Sequence, residues 1–201
     1  AEWETELKPH YETAIRMLGA AESPASAPAD KALKALATEM GRPEDWGPTR
    51  VSIFFGKPGV TVDDPYFDGD GPKRTGCVQC GGCMLGCHRG SKNSLDMNYL
   101  YLAEKWGLTI SPETEATAVR RRPQGGYRVE ALQERGLFRK REEKVFSADN
   151  VIFSGGVLGT VDLLLKMQED PDGLPNLSPH VGDFIRTNSE SLTAIISPSS
   201  E

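Results

Sequence analysis

A mixed α/β (α+β) fold is predicted for this chain of 201 residues, and three observations predict it. Apolar residues recur at helical spacing near the start of the chain and again after residue 93. Segments between residues 108 and 147 alternate with the period of strands and are separated by turn residues. A continuous apolar run at 150–153 passes through adjacent glycines into a further helical pattern.

The elements follow in order. Leu7, Tyr11, Ile15 and Leu18 make the stripe of a first helix, with Pro9 assigned to its first turn and Gly19 to its end. After a Pro/Ala/Ser loop at 23–28, Asp30 opens a second helix with Leu33, Leu36, Ala37 and Met40 on one face and Gly41 as its stop. Both helices read as half-buried covering elements. Val51 to Phe55 reads as a short strand, and 63–73 as a Gly/Pro/Asp loop. A cysteine cluster follows, then a helix from Ser94 to about Trp106, with Leu95, Tyr99, Leu100 and Ala103 inward and Gly107 ending it. Segments 108–110, 116–122 and 127–132 and one ending near Phe146 form an antiparallel meander, with Gly125-Gly126 as a turn. Asn150 to Phe153 is a continuous apolar strand, and a helix runs from about Leu158 to Met167. No internal repeat interrupts this order.

Composition narrows the function classes. The net charge of -6 disfavours a phosphate backbone as main partner, so no nucleic-acid partner is expected. No apolar stretch is long enough to span a bilayer. The residues around Glu2, Glu4 and Glu6 lack the pattern of a secretory signal. All four cysteines fall between Cys77 and Cys87, too close together to staple distant segments, so a reduced, cytoplasmic chain is expected. The absence of an initiating Met and the apolar run just before Glu201 read as the ends of a fragment.

Two motifs bear on chemistry. Val151 to Thr160 is an apolar strand, a small-residue turn at Ser154-Gly155-Gly156 and a helix start; the exposed amides there suit a phosphate or a flat cofactor edge. Alone it reads first as a plain strand-to-helix turn. Cys77-x2-Cys80-x2-Cys83-x3-Cys87 has the spacing of a bacterial ferredoxin run, with His88 where that run has proline and no fifth cysteine in the chain. The plainer reading is a set of reduced structural thiols near a cofactor. A 4Fe-4S cluster on Cys77, Cys80, Cys83 and Cys87 is the metal alternative, ahead of zinc. His10, His88 and His180 form no catalytic constellation by spacing, and Glu190 sits in a polar loop where it reads first as a surface residue or turn cap and second as a base or a hydrogen-bond acceptor.

Taken together, these segments resemble the cholesterol-oxidase branch of the glucose-methanol-choline (GMC) oxidoreductases. The resemblance is carried by Trp3 to Gly19, Gly76 to Gly90, Lys92-Asn93-Ser94-Leu95-Asp96 with Tyr99-Leu100, Gly155 to Thr160 with Leu163-Leu164, Leu174-Pro175-Asn176-Leu177 running to Gly182, and Thr187-Asn188-Ser189-Glu190. It implies part of a doubly wound FAD-binding domain, with a β-meander and the covering helices of a substrate domain. Residues 1–92 would be helical cover and Cys-rich loop, 93–165 part of the FAD-binding domain, and 166–201 the start of the substrate domain. The family's pyrophosphate-binding glycine turn would precede Ala1, and its catalytic histidine and asparagine would follow Glu201. For the FAD, the resemblance points to Glu115 and Ala116 (backbone against the adenine), to Ser154, Gly155 and Gly156 beside the cofactor, and to Gly159 for close helix packing. It also points to Thr187, Asn188, Ser189 and Glu190 near the flavin ring, where Ser189 and Glu190 depart from the family's Asn-Gly-Asn. The implied activity is oxidation of the CH–OH group of an alcohol or sterol, with hydride passing to FAD and then electrons to oxygen or another acceptor. Two other readings are an iron-sulfur electron-transfer module and a non-catalytic binding fragment.

Overall fold

The structure, a computed structural model, describes residues 2–136 and 140–187, and the chain divides into two compact units, Ala1–Ile110 and Ser111–Glu201. Among the described residues the architecture is mixed α/β, with four α-helices and small antiparallel sheets.

In the first unit, α1 (Trp3–Met17) carries Glu4 and Glu6 in its first turn, where the helix dipole favours negative charge. Pro9 therefore lies inside the helix and not in its first turn: the acidic residues start the helix upstream, and Thr5 loses the backbone donor that Pro9 lacks. In α2 (Pro28–Glu39), proline opens the helix, and Asp30 acts from within it by accepting the Ala27 N–H at 2.6 Å. α3 (Tyr99–Lys105) is the shortened remainder of the helix expected over 94–106. The break is at Asn98, fully buried, whose Oδ1 accepts from Tyr99 N while its Nδ2 donates to the Asn93 carbonyl at 3.3 Å. An asparagine that satisfies itself on nearby backbone caps a helix and ends the turn before it; residues 95–97 form a separate 3-10 turn. All three expected glycine stops hold. Gly19, Gly41 and Gly107 each sit at positive φ, where glycine is at little cost, and paired backbone bonds close each end.

The stripes of α1 and α2 are not half-buried: Tyr11 is 61% exposed, Leu33 57% and Met40 66%. An amphipathic stripe is buried only where an apolar surface lies against it, and these side chains stay open. Two short ladders, β1 (Ala21–Glu22) with β2 (Arg50–Val51) and β3 (Thr61–Val62) with β4 (Arg74–Thr75), are antiparallel. The strand expected over 51–55 survives only as β2 and an isolated bridge from Ile53 to Lys92. Between β3 and β4 the Asp64 carboxylate organises the loop by accepting the N–H groups of Tyr66, Phe67, Gly69 and Gly71 at 2.8–3.1 Å. Burial tends to raise its pKa, but these donors hold it below the ordinary carboxylate value.

The centre of this unit is polar. Arg74 is fully buried; its guanidinium donates to the Pro72 carbonyl and to Asn93 Oδ1, each at 2.7 Å, and to the Met97 carbonyl. Asn93 Nδ2 donates to the Met17 carbonyl at 3.2 Å, which ties the end of α1 to this hub. Tyr66 lies 5.6 Å from the guanidinium.

In the second unit, β5 (Thr114–Arg121), β6 (Tyr127–Arg135) and β7 (Lys140–Ala148) form the expected meander in sequence order. The Gly125-Gly126 turn closes through Arg122 N to the Gly126 carbonyl at 3.0 Å. A register shift at Thr117 bends the edge strand β5. Segment 108–110 is irregular, because the meander begins only at Thr114. The run at 150–153 is likewise unpaired: it is apolar enough for a central strand, but no strand among the described residues lies beside it. α4 (Val157–Glu169) follows, and among the described residues no helix is long and apolar enough to cross a membrane.

Candidate functional site

Residues picked out in the sequence for cofactor contact converge in the second unit. Glu115 and Ala116 from β5 and Ser154, Gly155 and Gly159 from the turn and start of α4 line one cleft of about 380 Å³. Val119 and Val129 contribute from the sheet, Thr160 and Leu163 from α4, and the unpaired 151–153 run closes another wall.

The cleft exists because α4 is anchored at its far end. Met167 is buried, and its thioether accepts the Val119 N–H of the edge strand at 3.2 Å. Arg120 donates from Nη1 to Asp170 at 2.7 Å and from Nε to Glu130 at 3.1 Å. Hydrogen bonds to Asp170 and Glu130 raise the Arg120 pKa; that of Asp170 is lowered by the Asp172 N–H and by Arg120. With its C-terminal turn fixed on β5, the start of α4 stands beside the sheet edge.

At that start Gly156 has φ 80° and ψ 162°, a conformation open in practice only to glycine. The first intrahelical bond is Thr160 N to the Gly156 carbonyl, so the amides of Val157, Leu158 and Gly159 have no helical acceptor. The walls combine small residues and apolar faces, and of these three helix-start residues Gly159 lines the cleft. Such a surface accepts a flat ring system along its apolar side and an anionic group at the helix start.

Of the remaining expected residues, Gly156 adjoins the cleft without lining it, and Thr187 is exposed and is not one of its lining residues. Asn188, Ser189 and Glu190 lie outside the described residues. Val119 and Val129 escaped the sequence reading, although the alternation of β5 and β6 was available to find them, and Thr160 was read as part of the turn motif without being assigned a contact. A second cleft, about 590 Å³, is lined by Tyr127, Leu164 and part of the 171–177 loop, and it shares Val151 and Phe153 with the first.

The structure lends no support to a metal cluster on the cysteine run. All four thiols are free, with Cys80 and Cys83 exposed. Cys77 Sγ accepts from Gln79 N at 3.3 Å and Cys87 Sγ from Ser91 N at 3.4 Å. Among the described residues no group of three or more His, Cys, Asp or Glu is arranged to hold a metal ion. Burial would raise the Cys87 thiol, but N–H donors from Ser91, Lys92 and Arg89 and a side-chain hydrogen bond with Ser91 bring it below its usual value.

Comparison with known proteins gives a consistent picture. Residues 72–181 match the sequence model of a family described as GMC oxidoreductase. A cholesterol oxidase of Mycobacterium tuberculosis (strain H37Rv) is 44% identical over 196 residues, covering 95% of this chain and 34% of the relative. A cholesterol oxidase of Acinetobacter baumannii is 39% identical over 204 residues, covering 97% of this chain and 36% of the relative. The chain thus spans about a third of the length of the curated relatives it matches.

Proposed function

Because this chain belongs to the GMC oxidoreductase family, we propose that it forms part of the FAD-binding region of an enzyme that oxidises the CH–OH group of an alcohol. The observation that carries the reading is the convergence of Glu115, Ala116, Ser154, Gly155 and Gly159 in one cleft. The proposed substrate is a sterol, on the strength of the relatives named cholesterol oxidase. The proposed domain is doubly wound, with the 150–153 run as one of its central strands and residues 166–201 leading into a substrate domain.

FAD, when bound, supplies the hydride acceptor and passes the electrons on to oxygen or another acceptor. The residues of this chain bind and orient it. The backbone at Glu115 and Ala116 would hold the adenine end. Gly155 lets a ring approach the main chain without a side chain in between. The free amides at the start of α4 offer hydrogen bonds to an anionic oxygen, and Val119 and Val129 offer an apolar side to a ring. Thr187, Asn188, Ser189 and Glu190 are proposed to lie near the flavin ring. The proton of the substrate hydroxyl needs a base, and no residue of this chain is assigned that role. The four cysteines lie too close together in sequence to staple distant segments, and a reducing, cytoplasmic setting is proposed on that ground.

The test is anaerobic mixing of the purified protein with 3-hydroxysterols and, separately, with short aliphatic alcohols. Bleaching of flavin absorbance by the sterols and not by the short alcohols supports the proposal. Bleaching by short alcohols alone overturns the sterol assignment, and no bleaching by any alcohol overturns the activity.

A further inference from the structure

The cysteine loop lies in the first unit and takes no part in the cleft described above. All four of its thiols are free, and all four residues border one small cavity of about 40 Å³. The two feet of the loop are fastened to a single residue. Cys77 N donates to the Phe54 carbonyl at 2.9 Å, and Phe54 N donates to the Ser91 carbonyl at 2.8 Å. At the second foot the Ser91 N–H meets Cys87 Sγ at 3.4 Å. A thiol facing backbone donors is stabilised as thiolate, the form that attacks a peroxide. Cys77 and Cys87 are half-buried at the feet, whereas Cys80 and Cys83 are exposed between them. Gly81 and Gly86, both at positive φ, turn the loop between its two feet.

We propose that this loop is a thiol–disulfide site in which a hydroperoxide joins Cys87 to Cys77. In the first step the Cys87 thiolate attacks one oxygen of the peroxide, the O–O bond breaks, and the second oxygen leaves as an alcohol or water after taking a proton; Cys87 becomes a sulfenic acid. In the second step Cys77 attacks the Cys87 sulfur and the S–O bond breaks. The departing hydroxide takes the Cys77 proton and leaves as water. Two thiols are oxidised to one disulfide and one peroxide bond is reduced, and a dithiol restores the starting state. The bridge closes the loop at its base and leaves the exposed pair free.

The test uses the purified full-length protein, reduced, freed of reductant and treated with hydrogen peroxide. Remaining thiols are blocked with N-ethylmaleimide before tryptic mapping. All four cysteines fall in one tryptic peptide, Thr75 to Arg89, so the bridge is located by fragmentation. The expected peptide is lighter by two hydrogens at its bridge, carries labels on Cys80 and Cys83 only, and regains all four labels after dithiothreitol. The Cys77→Ser variant is expected to trap Cys87 as a dimedone adduct, and the Cys80→Ala/Cys83→Ala double variant to form the same bridge as the unaltered protein. A Cys80–Cys83 bridge overturns the proposal. So does a fully labelled peptide at peroxide doses that oxidise free cysteine. The wild-type map alone decides the matter if a variant fails to fold.

Discussion

Adjacent glycines at the start of α4 separate folding from binding, and substituting each by alanine should show it. A Cβ on Gly156 meets nothing within 4 Å, so Gly156→Ala costs no steric clash; its whole cost is backbone, because φ is 80° and ψ 162°. Holding a non-glycine residue there costs about 1–3 kcal/mol. For a protein of this size or larger, that lowers Tm by roughly 2–12 °C. Gly155 has no positive φ, and an added Cβ would meet only Thr160 Oγ1 at 3.6 Å, an ordinary contact. Gly155→Ala should therefore change stability by less than about 0.5 kcal/mol. But Gly155 lines the cleft and Gly156 does not, so Gly155→Ala should be the variant that purifies with less flavin per chain. The assays are thermal unfolding by circular dichroism, with flavin removed so that ligand does not mask the difference, and flavin-to-protein ratio by absorbance. Equal stability of the two variants would refute the backbone argument. Full flavin content in Gly155→Ala would refute the placement of the cofactor.

Other expectations follow from the packing. Asp64→Ala strands four loop N–H groups and should cost about 2–4 kcal/mol in urea unfolding. The folded pKa of Asp64 is depressed. Its stabilisation is therefore present above the unfolded value near about 3.9 and lost as pH falls through the lower folded value, so the variant and the parent should converge in stability at the acid end of a pH series. Met167→Ala empties the contact under Val119 and should cost about 2–4 kcal/mol, with faster hydrogen exchange at the Val119 amide. Arg74→Lys keeps the charge but not the planar fork that reaches Pro72, Asn93 and Met97, and should cost about 2–4 kcal/mol by the same urea assay; stability equal to the parent would show that the hub is not a framework.

Local chemistry was readable from sequence wherever a residue acts on its own neighbours. Gly19, Gly41 and Gly107 end helices because φ is a property of the residue, and Gly125-Gly126 turns the chain for the same reason. The alternation of 116–122 and 127–132 and the glycine turn into α4 were readable for like reasons, but Glu115 and Ala116 came to notice only through the resemblance to the GMC oxidoreductases, which also pointed to Ser154 and Gly155. What escaped depends on distant partners. The β1–β2 and β3–β4 ladders hold two residues per strand and have no periodicity of their own. Asn98 breaks a good helical pattern because it bonds to Asn93 in a buried hub, and Arg74 carries no local sign that it is buried. The 150–153 run was legible as an apolar strand, but a strand exists only with a neighbour, and none lies beside it among the described residues. The cysteine spacing was legible too, yet spacing along a chain does not decide where sulfur atoms point.

The central claim is that this chain helps to hold a flavin. It is tested most directly by the visible absorption spectrum of the purified full-length protein, repeated on the supernatant after acid precipitation. A two-banded flavin spectrum whose pigment passes into the supernatant and is identified as FAD by mass is the predicted result. A colourless protein, or a broad brown absorption that acid bleaches, would contradict it.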